Sequence, residues 1–262
     1  IRPLDINQLT LTDAEKDEVE GFLDDRKVVA IKPRLRDPLY TFLYVEVFFK
    51  YNLTLTNKTK QELETDVRNS IVTFNENNLN NFSGVFRYST FLKAIDQTNA
   101  AILNSVARIH AYKKLTITVT GNESENDSID FAFAFDGNID QTESMISSTS
   151  WLYSGSDVQL GDEKIVGDSE KRKVFVFKRR TNGTVEKIVQ TAGYLYPATG
   201  VLQLNNLPSS QTTEIKVKVR PASDDILAKR REVLSIDLGE TQVGGDIDGS
   251  FLSQYTTVSR DK

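Results

Sequence analysis

The chain contains no cysteine. Disulfide staples and thiolate metal sites are therefore excluded, and folding in a reducing cytoplasm is expected. Histidine occurs once, at His110, so a histidine-based triad has one candidate base. No Gly-x-Ser-x-Gly elbow, Walker loop or Gly-x-Gly-x-x-Gly accompanies it. In an alternating strand, His110 reads as a strand-face side chain with a local hydrogen bond. No apolar run approaches the roughly 18 residues needed to span a bilayer. No secretory signal is read at the start shown, so the sequons at Asn52, Asn57, Asn122, Asn126 and Asn182 carry little weight. The start at Ile1 rather than methionine is read as a fragment or a processed product.

What is present is ordinary for a globular protein. The 262 residues are 39% hydrophobic and 26% charged, enough for one large domain or two smaller ones with a sizeable core. A net charge of −5 gives no reason to expect nucleic acid or an anionic membrane as partner. No cluster suggests a cofactor, a metal or a catalytic residue.

The first region reads as mixed α/β. Thr12 and Glu15 have the spacing of a capping box, opening a helix with Val19, Phe22 and Leu23 on one face and an end near Asp25. Val28 to Leu35 reads as a strand cut by Pro33, and Asp37-Pro38 as a turn. Between Tyr40 and Tyr51, Leu43, Val45, Val47 and Phe49 form an apolar face that should meet helices. Phe42, Tyr44, Glu46, Phe48 and Lys50 form the other. Thr56 or Thr59 can cap a helix striped by Leu63, Val67, Ile71 and Phe74. Ser89 can cap a short helix carrying Leu92 and Ile95, and a strand follows from Ala107 to Val119. Between the helices, a turn at Gly84 leads to a cluster of Phe86, Arg87, Tyr88 and Phe91, read as a packed structural corner.

The period then changes. RKVFVFKRR (172–180), TVEKIV (184–189) and EIKVKV (214–219) read as strands, with IDFAFAFD (129–136) before them. Asn182-Gly183 and Tyr196 to Gly200 read as hairpin turns. The stretch from Asp136 to Gly167 is too polar to assign. After Pro221, Ser223 can cap a helix, DDILAKRREVL, whose acid-to-base charge order suits the helix dipole. A flexible tail follows Leu238. The expected fold class is α+β: an N-terminal mixed α/β domain with helices on one face of a small sheet, then a β-rich sandwich-like domain and a C-terminal helix. The divisions are 1–36 (helix and linker strand), 37–120 (α/β), 121–221 (β-rich) and 222–262 (helix and tail).

The remaining polar constellations have ordinary readings. Asp136, Asn138 and Asp140 begin like a calcium loop, but Gln141 and Ser147 stand where glycine and a bidentate acid are needed. Asp246 and Asp248 read as a solvated loop. The pairs Asp24/Asp25 and Asp224/Asp225 lie at helix ends and suit capping better than glycoside hydrolysis. The cations Lys171, Arg172, Lys173, Lys178, Arg179 and Arg180 bracket a strand; they suit a solvated hairpin, or contact with phosphate or an acidic partner.

Four stretches carry a family resemblance: DPLYTFLYVEVFFKYN (37–52), TKQELETDVRNSI (59–71), NNLNNFSGVFRYSTFLKAID (77–96) and ARIHAYKKLTITV (107–119). GYLYPATGVLQLNNL (193–207) and PASDDILAKRREVLSID (221–237) add to it. In this order they resemble the baseplate wedge protein of contractile-tailed phages, the gene-six type of T-even phages, related to the baseplate J-like family. The resemblance implies a non-enzymatic virion component in the tail baseplate, assembled in the host cytoplasm. Its partners would be itself, as a dimer and then a ring, and other wedge proteins, with interfaces that rearrange on sheath contraction. For self-association, the sequence offers the apolar Ile226, Val233 and Leu234 on the helix from Asp225 to Leu234. Two rival readings are a host-surface or carbohydrate-binding module using Trp151, Tyr153, Tyr194 and Tyr196, and a hydrolase using paired carboxylates.

Overall fold

A computed structural model describes residues 10–26, 35–82, 84–119, 127–135, 144–205, 207–228 and 232–248. The first helix, α1 (Asp13–Asp24), opens on the capping box of Thr12 and Glu15, with each backbone N–H held by the other's side chain. It buries none of its own residues. Residues 28–34 of the strand read from Val28 to Leu35, the calcium-like residues Asp136, Asn138 and Asp140, and most of the tail lie outside the described residues.

The strand β1 (Leu39–Tyr51) is the axis of the molecule. Leu43, Val45, Val47, Phe49 and Tyr51 are buried on its inner face. That face packs toward α2 (Lys60–Phe74), which a second capping box, Thr59 with Glu62, begins. Leu63, Val67, Ile71 and Phe74 recur at helical spacing and are all buried. A π-helical turn, Asn75–Leu79, carries the chain to β2 (Val85–Phe86) and α3 (Tyr88–Asp96). The long strand β3 (Ile102–Ile117) then returns antiparallel to β1.

The β-rich remainder builds two things. One is an antiparallel sheet in the order β4 (Asp127–Asp130), β10 (Val201–Leu204), β9 (Val185–Tyr196), β8 (Asp168–Arg179), β7 (Ser156–Ile165), β6 (Trp151–Tyr153). Both expected hairpins are in it. Gly183 takes a positive φ of 82° in the β8–β9 turn, where glycine carries no steric penalty, and Tyr196 to Gly200 joins β9 to β10. The other is the completion of the first sheet. The strand β11 (Thr213–Val219) pairs with β3, and β5 (Ile146–Ser148) pairs with β11. On the opposite side, β13 (Glu232–Ile236) and β14 (Gln242–Ile247) both run parallel to β1, one beyond the other. A two-residue strand, β12 (Ile226–Leu227), pairs with β2.

The α+β expectation is therefore corrected. Strand takes 48% of the described residues and helix 21%, and the fold is mainly β. Among the described residues there is no C-terminal helix: Ile226–Leu227 is β12 and Glu232–Ile236 is β13. The charge order of DDILAKRREVL suits a helix, but Ile226, Val233 and Leu234 gain more by completing sheet hydrogen bonds and burial that β1 and β2 leave open. Local propensity loses to tertiary pairing. The unassigned polar stretch contains β5, β6 and β7. They were hidden because their inward polar residues are paired rather than excluded.

Candidate functional site

The corner between α2 and α3 is built from three rings. Phe74 meets Phe91 edge-on at 5.2 Å and Phe86 at 5.8 Å, and Phe86 lies 5.1 Å from Phe91. Phe86 and Phe91 are fully buried. Edge-to-face contacts of this kind add to the burial term. Gly84 is needed beside them, since a Cβ there would fall 2.3 Å from the carbonyl oxygen of Leu79.

The polar members of the cluster do different work. Tyr88 sends its hydroxyl across to β3, where it donates to the Ala107 carbonyl at 3.2 Å and accepts from the Ala107 N–H at 3.3 Å. One side chain thus satisfies the backbone of a strand segment that β11 does not reach. Arg87 points outward and pairs with Asp225 at 2.8 Å. The other oxygen of Asp225 accepts the backbone N–H of Tyr88 at 2.9 Å. Asp225 is therefore the cap of α3, supplied from a distant segment. Ser89 lies inside the helix rather than capping it, and Arg87 and the helix N-terminus hold the Asp225 carboxyl below its ordinary pKa.

The same region clamps the C-terminal strands. Asn75 accepts the N–H of Ile236 at 2.8 Å, Arg68 donates to the Thr241 carbonyl at 3.2 Å, and Glu64 accepts the N–H of Gly245 at 3.1 Å. Ile226, Val233 and Leu234, assigned by sequence to a self-association helix, are 1%, 0% and 1% exposed inside the chain's own fold. Ile226 sits opposite Phe86, and Val233 and Leu234 lie opposite Tyr40 and Thr41.

Half of the outer face of the first sheet is covered. Tyr40, Phe42 and Tyr112 stack at 5.7 and 5.0 Å, and His110 lies flat on Tyr44 at 4.9 Å. His110 is thus buried in an aromatic ladder, with Glu46 3.8 Å from its Nε2. The loop between β13 and β14 crosses this layer. Asp237 accepts from the Tyr112 hydroxyl at 2.5 Å and from Lys216 at 3.3 Å, while Glu240 holds Lys216 and Lys218 at 2.9 Å each. Burial pushes Asp237 up, but those donors outweigh it and leave the carboxyl below its usual value. Hydrogen bonds from Lys218 and Lys216 lower Glu240 in the same way. Tyr112 is held protonated well above the ordinary range, first by burial and then by Asp237.

The other half of that face is open. Phe48 and Val106 lie directly opposite each other on β1 and β3 and are 62% and 61% exposed.

The basic run is mostly paired rather than solvated. Arg172 is buried on Asp162, whose other oxygen accepts from Ser144, Met145 and Ile146 at 2.7 to 2.9 Å. Lys173 and Lys187 share Glu163, and Lys178 and Arg180 share Glu186. Arg179 lies over the Phe177 ring. A cleft of about 630 Å³ runs between Tyr44 and Lys218 on one sheet and Phe175 and Phe177 on the other. Its acid, Asp162, is already saturated by the bonds above. Trp151 is buried with its indole N–H on the Pro208 carbonyl, so it lines no groove. Asp24 and Asp25 close α1, and Asp224 stands beside Asp225, which caps α3. Among the described residues, no group of three or more His, Asp or Glu side chains forms a metal site.

Residues 39–114 match the family model described as baseplate structural protein gp6, C-terminal domain III. Over these residues the chain is gp6-like. The match begins at the first residue of β1 and ends within β3. It thus frames the strand, the two helices, the aromatic corner and the returning strand as one unit. The match supports a phage baseplate structural role, and the family it names is described as structural. No curated protein matches the chain. Sequence reasoning reached the corner through its aromatics. It missed the Asp225 cap, the Asp162–Arg172 pair and the buried Lys113–Glu232 pair at 2.7 Å, because each joins residues far apart in the chain.

Proposed function

We propose that this chain is a non-enzymatic structural component of a phage tail baseplate wedge. It associates with copies of itself and with other wedge proteins to build the ring that rearranges when the sheath contracts. In this reading it is assembled in the host cytoplasm and ends in the virion, with proteins rather than nucleic acid or membrane as partners. The observation that carries it is the gp6 family match over β1, α2, α3 and β3. The geometry of that unit agrees with mechanical use. The ring cluster locks its two helices together, Tyr88 ties α3 to Ala107 of β3, and Asp225 caps the start of α3. A unit bound at so many points transmits load as a rigid body, and change then falls on contacts between units.

The test is reconstitution. The purified chain is mixed with candidate baseplate proteins of the same phage and followed by sedimentation and negative-stain microscopy. Discrete wedge-like or ring-like particles are expected. A chain that joins none of them, under conditions where the others assemble, overturns the reading.

A further inference from the structure

The open half of the first sheet's outer face is a small, ordered grid. On β14 it carries Gln242, Gly244 and Asp246; on β1, Glu46, Phe48 and Lys50; on β3, Arg108, Val106 and Asn104. The register sets these side by side in rows: Gln242, Glu46, Arg108; then Gly244, Phe48, Val106; then Asp246, Lys50, Asn104. Phe48 and Val106 are the apolar centre, and both are largely exposed. Such a pair, rimmed by charge, has the apolar-centre, polar-rim layout of a contact surface.

Several backbone groups along the edges of the sheet here already have side-chain partners. On β14 the Gly245 N–H is held by Glu64 and the Ile247 N–H by the Asp246 carboxylate. On β3 the Ala107 backbone is taken by Tyr88. The face itself is exposed at Phe48 and Val106.

We infer that this face binds the same face of a second copy, about a twofold axis that runs parallel to the sheet, midway between the two copies and across the strands over Phe48. The inference rests on the self-association reading above and names its surface. The grid is self-complementary under that operation. The axis exchanges the row of Glu46 with the row of Lys50, so each Glu46 faces the other copy's Lys50, and each Lys50 the other copy's Glu46. Gln242 meets Asp246, and Arg108 meets Asn104, each a donor–acceptor match. Phe48 meets Phe48 and Val106 meets Val106 at the centre. Gly244 has no side chain, and its Cβ position lies 3.4 Å from the Phe48 ring. Turning the axis along the strands instead would stack Glu46 on Glu46 and Lys50 on Lys50, and like charges oppose that arrangement. Sheets packed face to face need only about 10 Å between them, within reach of these side chains.

Sedimentation velocity of the full chain over a concentration series tests this. The wild type is expected to dimerise. Phe48→Glu is expected to abolish dimerisation with the melting temperature unchanged, and Lys50→Glu to weaken it by about tenfold or more. The double exchange Glu46→Lys with Lys50→Glu restores the pairing with its signs reversed and is expected to recover the dimer, a rescue that a misfolded variant would not show. If the wild type dimerises and Phe48→Glu, Lys50→Glu and the double exchange all dimerise equally, the face is wrong and self-association stands. A wild type that stays monomeric at every concentration overturns both.

Discussion

Asp225 caps the helix that starts at Tyr88, a residue 137 positions earlier in the chain. One carboxylate oxygen takes the first free N–H of α3 and the other takes the Arg87 guanidinium. Asp225→Ala removes both bonds and is expected to lower the melting temperature by a few degrees. Arg87→Ala should do less, because the backbone cap survives. Calorimetry of the two variants checks the order; a larger loss for Arg87→Ala would contradict the cap.

The Asp225 cap also shows how far the sequence can be read. The capping box at Thr12, a threonine cap at Thr56 or Thr59, the stripe of α2, the two faces of β1 and both hairpin turns depend on residues within a few positions of one another, and all are legible in the sequence. Ser223-Asp224-Asp225 looked like a helix start for the same local reason. Its actual role depends on Tyr88 and Phe86, which no spacing rule connects to it. The polar stretch before Gly167 was opaque for a related reason: Asp162 is inside only because Arg172 and the 144–146 backbone meet it there. Phe48 was read as part of the second face of β1, but its exposure follows from which strands and loops cover that face.

The aromatic corner gives a graded series. Phe86→Ala and Phe91→Ala each empty a fully buried site and are expected to cost about 3–5 kcal/mol. Tyr88→Phe keeps the ring but strands the Ala107 N–H and carbonyl, at about 1–3 kcal/mol. Urea unfolding of the three variants measures this. A Tyr88→Phe variant as stable as the parent would show that water replaces the hydroxyl.

Within the basic run, Arg172 should stand apart. Arg172→Ala leaves Asp162 buried without its cation, and breaking a buried pair from one side is expected to cost about 3–5 kcal/mol. Lys178→Ala and Arg180→Ala, in the partly exposed pairs on Glu186, should change stability by under about 1 kcal/mol. Equal effects across the three would mean that Asp162 is reached by water.

The loop over Tyr112 predicts an acid response. Asp237 and Glu240 both have folded-state pKa values below their ordinary ones. A depressed carboxylate contributes stability that is fully present above its unfolded pKa, near 4, and is lost as pH falls through the lower folded value. The melting temperature should therefore hold above about pH 5 and drop between about pH 4 and pH 2. Part of that drop belongs to other paired acids. A double variant, Asp237→Asn with Glu240→Gln, should start less stable at pH 7 and show a shallower acid slope. An unchanged slope would place the acid sensitivity elsewhere.

Leu234 tests the strand that replaced the expected helix. It lies on β13 opposite Thr41, within the core that β1 shares with α2. Leu234→Asp puts an unpaired carboxylate into that interior and is expected to unfold the domain or expose it to protease, because a buried charge without a partner is not tolerated. A residue on an outward helix face would instead accept the change, with only the association state altered. Limited proteolysis and circular dichroism of Leu234→Asp, beside the surface variant Phe48→Glu, separate the two. Loss of structure in the first with retention in the second is the expected pattern. A folded Leu234→Asp chain would mean that β13 detaches from β1 without taking the core with it.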